Sequence, residues 1–185
     1  MKRMLILFSL MGFLFFVPAK LSFAQNAGGG IKIAVININF IFRNGLAFKS
    51  IRDQILKFRE TFQGEIQKEE EALRKANQEL ARQRSILSAE AFAEKRRQFE
   101  QSVADVQRLV QSRKLNLDKV NSGAIGQVEK ALNEIVTAMA TEQNISLILR
   151  QEQVVLSGPE LQITQQVLDR LNAKMPTVKV AQPVK

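Results

Sequence analysis

Apolar side chains recur at Phe48, Ile51, Ile55, Phe58, Phe62, Ile66, Leu73, Ala76 and Leu80, in steps of 3, 4, 3, 4, 4, 7, 3 and 4. This is the seam of an amphipathic helix in coiled-coil register. One irregularity falls near Gly64 and the acidic run Glu69-Glu70-Glu71. An extra step of four is a stutter, which unwinds a supercoil locally. Gly64 also weakens the helix there by ~1 kcal/mol relative to Ala. A second seam runs through Phe92, Phe99, Val103, Val106, Val110, Leu117, Val120 and Ala124, in steps of 7, 4, 3, 4, 7, 3 and 4. It continues through Val128, Leu132, Ile135 and Met139 to about Glu142.

The two seams are separated at Ser85–Ser88. Ser88 suits an N-cap, and Glu90 puts a carboxylate in the first turn, where the helix dipole favours it. The spacing thus predicts a reversal there; one uninterrupted helix through Leu87 is the alternative. The first helix, at about 41 residues, spans ~60 Å and the second, at about 54, ~80 Å at 1.5 Å per residue. The excess, roughly Ala131 to Glu142, is expected to overrun the stalk and pack in a body.

Short β-type runs flank the helices. Lys32–Ile38 is apolar on both parities, the mark of a buried strand. Asn39–Asn44 follows as a turn or a single helical turn, punctuated by Gly45. Ile145–Leu149 is a second buried-type strand, and Gln153–Leu156 is expected to be a third, ended by Ser157-Gly158-Pro159. Thr164 is expected to cap a last helix over Gln165–Leu171, and residues 176–185 read as a tail of low structure content. Two helices joined by one reversal bring the flanking strands together. The expected class is α+β and helix-dominated: a long antiparallel helical hairpin, a coiled-coil arm, on a small β body. Residues 31–44 and 131–175 form the body, with Ile33, Val35, Ile145, Leu147 and Leu149 at its core. Residues 45–130 form the arm. Its seam is Phe48, Ile55, Phe58, Phe62, Ile66, Phe99, Val103, Val106 and Val110, with Gly64, Gly123 and Gly126 as hinges.

The N-terminus changes the picture. Lys2 and Arg3 precede an apolar run, Met4 to Val17, which Pro18 breaks before Ser22-Phe23-Ala24. This is the pattern of a secretory signal peptide cut after Ala24. A membrane anchor needs roughly 20 apolar residues. Residues 25–30, with three glycines, read as a flexible leader. The remaining chain has no Cys and no His. It therefore has no disulfide, and it lacks the commonest metal ligand and general base. No cofactor or catalytic site is expected. Glu90 with Glu94, and Glu65 with Glu69, read as solvated pairs on helix faces. Asn144-Ile145-Ser146 matches a glycosylation sequon but leads into a strand.

The chain carries 27 Lys and Arg against 18 Asp and Glu, a net charge of +9. Removing Lys2, Arg3 and Lys20, with no acid before residue 25, leaves +6. Ten cations lie between Arg74 and Lys114 against five acids, so the excess sits on the far half of the arm. One reading is a solvated helix face. The other is a basic tip, with Arg82, Arg84, Lys95, Arg96 and Arg97, that meets anionic lipid, lipopolysaccharide or acidic segments of a client. The mixed charge does not point to a specific nucleic-acid partner.

The signal segment, Lys32-Ile33-Ala34-Val35-Ile36-Asn37, Leu87-Ser88-Ala89-Glu90-Ala91-Phe92 near the reversal, Ile145-Ser146-Leu147-Ile148-Leu149 and the closing Ile163-Thr164-Gln165-Gln166-Val167-Leu168-Asp169-Arg170-Leu171-Asn172 resemble the Skp/OmpH family of periplasmic chaperones. The resemblance spans nearly the whole chain after residue 24. It implies a homotrimer whose strands form a common body and whose three hairpins enclose a cavity. That cavity would hold unfolded outer-membrane proteins in the periplasm without ATP. The segment Gly158-Pro159-Glu160-Leu161-Gln162 departs from the family by lacking an acidic residue just before the Ile-Thr pair. An envelope coiled-coil adaptor without chaperone activity is the alternative function.

Overall fold

The structure, a computed structural model, describes residues 30–183. The expected signal peptide and most of the leader lie outside them. Strand β1 (Ile33–Ile36) leads into helices α1 (Ile38–Asn44) and α2 (Leu46–Gln83); α3 (Ala89–Glu142), β2 (Leu147–Arg150) and α4 (Thr164–Lys174) follow. Two single 3₁₀ turns, Gln151–Gln153 and Pro159–Leu161, connect β2 to α4.

β1 and β2 pair in parallel, with Ile33 opposite Leu147 and Val35 opposite Leu149. A parallel pair needs a long crossover, and α1 to α3 supply it. On its other side β1 is bridged by Gln162, and the Ile163 N–H donates to the Val35 carbonyl at 3.0 Å. β1 is therefore flanked on both sides at Val35, whereas β2 is an edge.

The reversal lies where the sequence puts it. α2 ends at Gln83, and the Ser88 hydroxyl accepts from the Ala91 N–H to start α3. Beyond it α3 returns beside α2 in the opposite direction. Leu80 and Phe99 border one cavity, Phe62 and Leu117 another, and Ile55 and Ile125 a third. At its far end α3 stops on a left-handed residue, Asn144, at φ 54°. The Asn144 N–H donates to Thr141 O and the Ile145 N–H to Ala140 O. This pair of bonds is the Schellman arrangement, which satisfies the last carbonyls of a helix. The sequon asparagine thus has a backbone role: Asn tolerates positive φ better than other residues with a Cβ.

The core gathers β1, α1, the start of α2, the end of α3 and α4. Ile41, Ile51, Val128, Met139, Val167 and Leu171 are its most enclosed members. Bonds between side chains and backbone fasten the root of α2 to this core. The Asn172 side chain accepts from the Leu46 N–H at 2.9 Å, which caps α2 from α4. The Arg52 guanidinium donates to the carbonyls of Phe42 and Arg43, both at 3.0 Å, which closes the C-terminal end of α1. Gly45 stands between α1 and α2 because a Cβ there would come within 2.9 Å of the Ile41 carbonyl.

Two expectations are corrected. Gln153–Leu156 is not a strand; Val155 and Leu156 are fully exposed. A β-branched run fits a pleated surface but needs an edge to pair with, and among the described residues no strand pairs with it. Thr164 does not cap α4 with its side chain. Its hydroxyl instead accepts from the Asn37 N–H at 2.8 Å, and the helix runs on to Lys174. Residues 176–183, the described part of the tail, carry no helix or strand, and Val178 and Val180 among them are buried in the core cluster.

Candidate functional site

Three surfaces concentrate the unusual chemistry. The first is the seam between α2 and α3. Phe48, Ile55 and Phe62 are buried there, while Phe58, Ile66, Phe99, Val103 and Val106 are half-buried. Val110 departs from the expectation: it is exposed at 39 %. The residue that enters the seam beside it is Arg113, at 9 % exposure. Its guanidinium lies 4.7 Å from the centroid of the Phe62 ring and 2.8 Å from the Glu65 carboxylate. The step of seven between Val110 and Leu117 marked the place where an apolar seam residue is missing. A cation fills it because its stem packs as a hydrocarbon while its head finds an aromatic face and a carboxylate. Beside it opens a cavity of about 500 Å³ lined by Phe62, Ile66, Val110 and Leu117 among charged residues.

Outward from this knot the seam thins. No residue between Gln63 and Ser112 is buried. Gly64, Gly123 and Gly126 lie inside uninterrupted helices, and a Cβ at any of them would meet nothing within 4 Å.

The second surface is the tip. Arg82 and Arg84 end α2, and Lys95, Arg96 and Arg97 lie in the first turns of α3, all exposed. Arg96 pairs with Glu100 at 3.4 Å and Arg97 with Glu94. Arg82, Arg84 and Lys95 form no ion pair among the described residues. Lys95 shares a cavity with Glu79, Leu80 and Phe99, so the reversal brings the basic ends of both helices together. Ile86 projects from the turn at 79 % exposure.

The third surface is the outer edge of the body. Val35 is buried and Ile33, Ile145 and Leu149 are half-buried, but Leu147 is 45 % exposed. Val155 and Leu156 stand fully in solvent just beyond β2. Asn39 holds this segment from one side by donating to Glu152 at 2.8 Å, and Gln162 holds it from the other by donating to Gln151 and Ser157. An open strand edge flanked by bare aliphatic side chains is a surface that calls for a partner strand or a cover.

Charge pairs also tie α4 to α3. Glu142 receives a bond from Arg170 at 2.7 Å, and Glu134 one from Lys174 at 2.7 Å. In each case the donated hydrogen bond holds the carboxyl below its ordinary pKa. Among the described residues no group of three or more His, Cys, Asp and Glu is placed to hold a metal ion, and no helix is long and apolar enough to cross a membrane.

The fold is shared with solved structures. A crystal structure of a candidate outer membrane chaperone, OmpH-like, from Caulobacter crescentus superposes with a TM-score of 0.76 at 19% identity, covering 83% of this chain and 90% of that one. Among curated proteins, none matches the sequence. A family model described as outer membrane protein (OmpH-like) matches residues 32–171. On that match, which takes in β1, both long helices, β2 and most of α4, the chain belongs to the OmpH-like family.

Proposed function

We propose that this chain is an ATP-independent holdase of the periplasm, delivered there by the segment cut after Ala24. It binds unfolded outer-membrane proteins between helical arms and keeps them from aggregating. The observation that carries the reading is the arm itself. The outer parts of α2 and α3 with the reversal between them, residues 63–112, hold together with no buried side chain. Such an arm does not serve as a core; it presents surface. Half-buried apolar seam residues and a fringe of both charge signs give many weak contacts, and weak contacts in number yield high avidity without a tight site.

The assembly is a homotrimer in which the β2 edge, Leu147, Val155 and Leu156 are covered by neighbouring copies. Two arguments support this. The enclosed core of one copy is small for a chain that carries so long an arm, and small cores gain from association. Fully exposed Val155 and Leu156 beside an open strand edge are a liability in a monomer. The basic tip, with Arg82, Arg84 and Lys95 in no ion pair among the described residues, is the element that meets anionic lipid, lipopolysaccharide or acidic client segments.

The test pairs two measurements. Light scattering follows an unfolded outer-membrane β-barrel protein diluted from urea, with and without this protein and without nucleotide; sedimentation equilibrium gives the mass of the assembly. Suppressed scattering by a trimer is the expected result. A monomer at micromolar concentration, or scattering unchanged at excess protein, overturns the proposal. Stoichiometric binding to one folded envelope protein without holdase activity would assign the chain to the adaptor role instead.

A further inference from the structure

Residues 176–183 lie beyond the family match, which ends at residue 171. They run along the root of the α2–α3 pair in an extended course. Val178 and Val180 are buried, at 6 % and 3 % exposure, while Lys179 between them is exposed. The side-chain amide of Gln54 reads the backbone between them: its Nε2 donates to the Val178 carbonyl at 2.7 Å and its Oε1 accepts from the Val180 N–H at 3.1 Å. One glutamine thus takes the place of a neighbouring strand. Gln54 is itself held by Ser50, whose carbonyl and hydroxyl oxygens both accept from Nε2 at 3.1 Å. Past Val180 the fit loosens. Ala181 and Gln182 face Val120, Gly123 and Gln127 across a cavity of about 300 Å³ that they leave unfilled.

The recognition is of a definite kind. Two hydrogen bonds go to main-chain atoms, which every residue but proline offers. The two alternate side chains, Val178 and Val180, are buried against the core cluster while Lys179 between them is exposed. Main-chain bonds with pockets of period two are how extended peptides are bound, with affinity from the backbone and selection from alternate residues. We propose that this groove is a binding site for extended peptide segments with aliphatic residues at alternate positions, filled in cis by the chain's own tail, which an incoming segment displaces. The period fits the proposed clients, since membrane β-strands alternate apolar and polar residues. That identity of the natural ligand rests on the chaperone reading; the groove and its occupant do not. A short tether gives the tail an effective concentration of about millimolar, so the tail excludes weak ligands and yields to segments of a long client bound at several places.

The experiment uses the full-length protein with ¹⁵N-valine labels. Unlabelled peptide Pro-Thr-Val-Lys-Val-Ala-Gln-Pro, the sequence of 176–183, is titrated to millimolar concentration. The amide signals of Val178 and Val180 are expected to move to the positions of the free peptide; a scrambled peptide with its valines adjacent leaves them in place. In the Val178→Asp, Val180→Asp protein the tail is released. A dye-labelled copy of the peptide then binds at least tenfold more tightly than to the unaltered protein, and adding Gln54→Ala weakens it about tenfold through loss of both bonds. A peptide carrying Leu in place of Ala181 fills the cavity and binds more tightly still. If the doubly substituted protein does not fold, the titration of the unaltered protein decides alone. Valine signals that stay fixed throughout, or a folded, tail-released protein that binds the peptide no better, overturn the inference. Displacement in a protein that fails to suppress aggregation removes the chaperone reading and keeps the site; suppression without displacement does the reverse.

Discussion

Arg113 tests whether the seam of the arm tolerates a charge for reasons of structure. Its side chain is 11 % exposed and that of Glu65 is 42 % exposed. Breaking a fully enclosed ion pair costs 3–5 kcal/mol, but water reaches Glu65, so the loss of the pair here is nearer ~1 kcal/mol. The contact with the Phe62 face adds ~1 kcal/mol, between the values for exposed and desolvated cation–π pairs. Truncation to Ala also leaves the volume of the stem empty, at ~1 kcal/mol for a site that collapses in part. Arg113→Ala is therefore expected to cost roughly 3 kcal/mol in all.

Arg113→Met gives the contrast. Methionine refills the stem volume and keeps a polarisable contact with the Phe62 ring. It also removes the need to desolvate a guanidinium, an exchange that in other proteins is neutral or stabilising. We expect Met within ~1 kcal/mol of the natural residue. The assay is urea unfolding followed by circular dichroism at one fixed protein concentration, because association and stability are linked. Ala and Met variants within about 0.5 kcal/mol of each other would refute the reasoning, since packing then contributes nothing measurable.

Three further outcomes follow from single contacts. Asn144→Ala places a Cβ without a local hydrogen-bonding side chain in the left-handed region and is expected to cost ~1 kcal/mol, whereas Asn144→Gly is neutral within a few tenths; equal unfolding midpoints for Ala and Gly would remove the argument. Glu142 and Glu134 have carboxyl pKa values lowered by donors on α4, so the tie is present above the unfolded carboxylate pKa and is lost as pH falls through the lower folded values. Amide protection of α4 should accordingly fall at acid pH, less so in the Glu142→Gln, Glu134→Gln protein; a pH-independent protection pattern would contradict this. Replacing Arg82, Arg84 and Lys95 with Gln is expected to weaken binding to anionic vesicles at low salt while leaving the assembly mass unchanged, and equal co-sedimentation would exclude the tip as a lipid contact.

The reversal, both strand positions and the two helix lengths were legible because each has a local signal. Ser88 needs only its own neighbours to cap a helix, and β1 is apolar on both faces because it is central. Val110 was placed on the seam because a strict 3-4 count assumes a supercoil. An ideal straight helix drifts about 20° per heptad from that count, so positions counted over several heptads move off the seam, and here Arg113 is buried where Val110 is exposed. The tail was illegible for another reason. Two valines two residues apart in a proline-flanked segment are too short for any period test, and the groove that receives them is made by Gln54, more than a hundred residues away. The run 153–156 read as a strand because β propensity reports a fit to a sheet and is silent on whether a free edge exists nearby.

The root and the outer arm are built of one pair of helices but held in different ways, and this should be measurable along a single element. At the root, α2 is fastened by Asn172 and Gln54, whose bonds join segments far apart in sequence, and by Arg52, which bonds the end of α1, and buried residues line both helices. From 63 to 112 the seam residues are at most half-buried, and beyond the Glu65–Arg113 pair at its inner end the ion pairs are of the i,i+3 and i,i+4 kind, such as Glu71 with Lys75 and Arg96 with Glu100, with the cap at Ser88. Exposed ion pairs of this kind contribute ~0.3–0.5 kcal/mol each. Opening of the outer arm thus costs a fraction of global unfolding, whereas the root opens only with the body. Native-state hydrogen exchange should show amides of 70–105 less protected than those of 48–62 and 124–139 within the same two helices. Arg113 should mark the boundary, and Arg113→Ala should move it toward the body. Uniform protection from end to end would mean that α2 and α3 unfold as one unit. An arm of that kind could not bend at low cost, and the proposed holdase would have to receive its clients without bending of the arm.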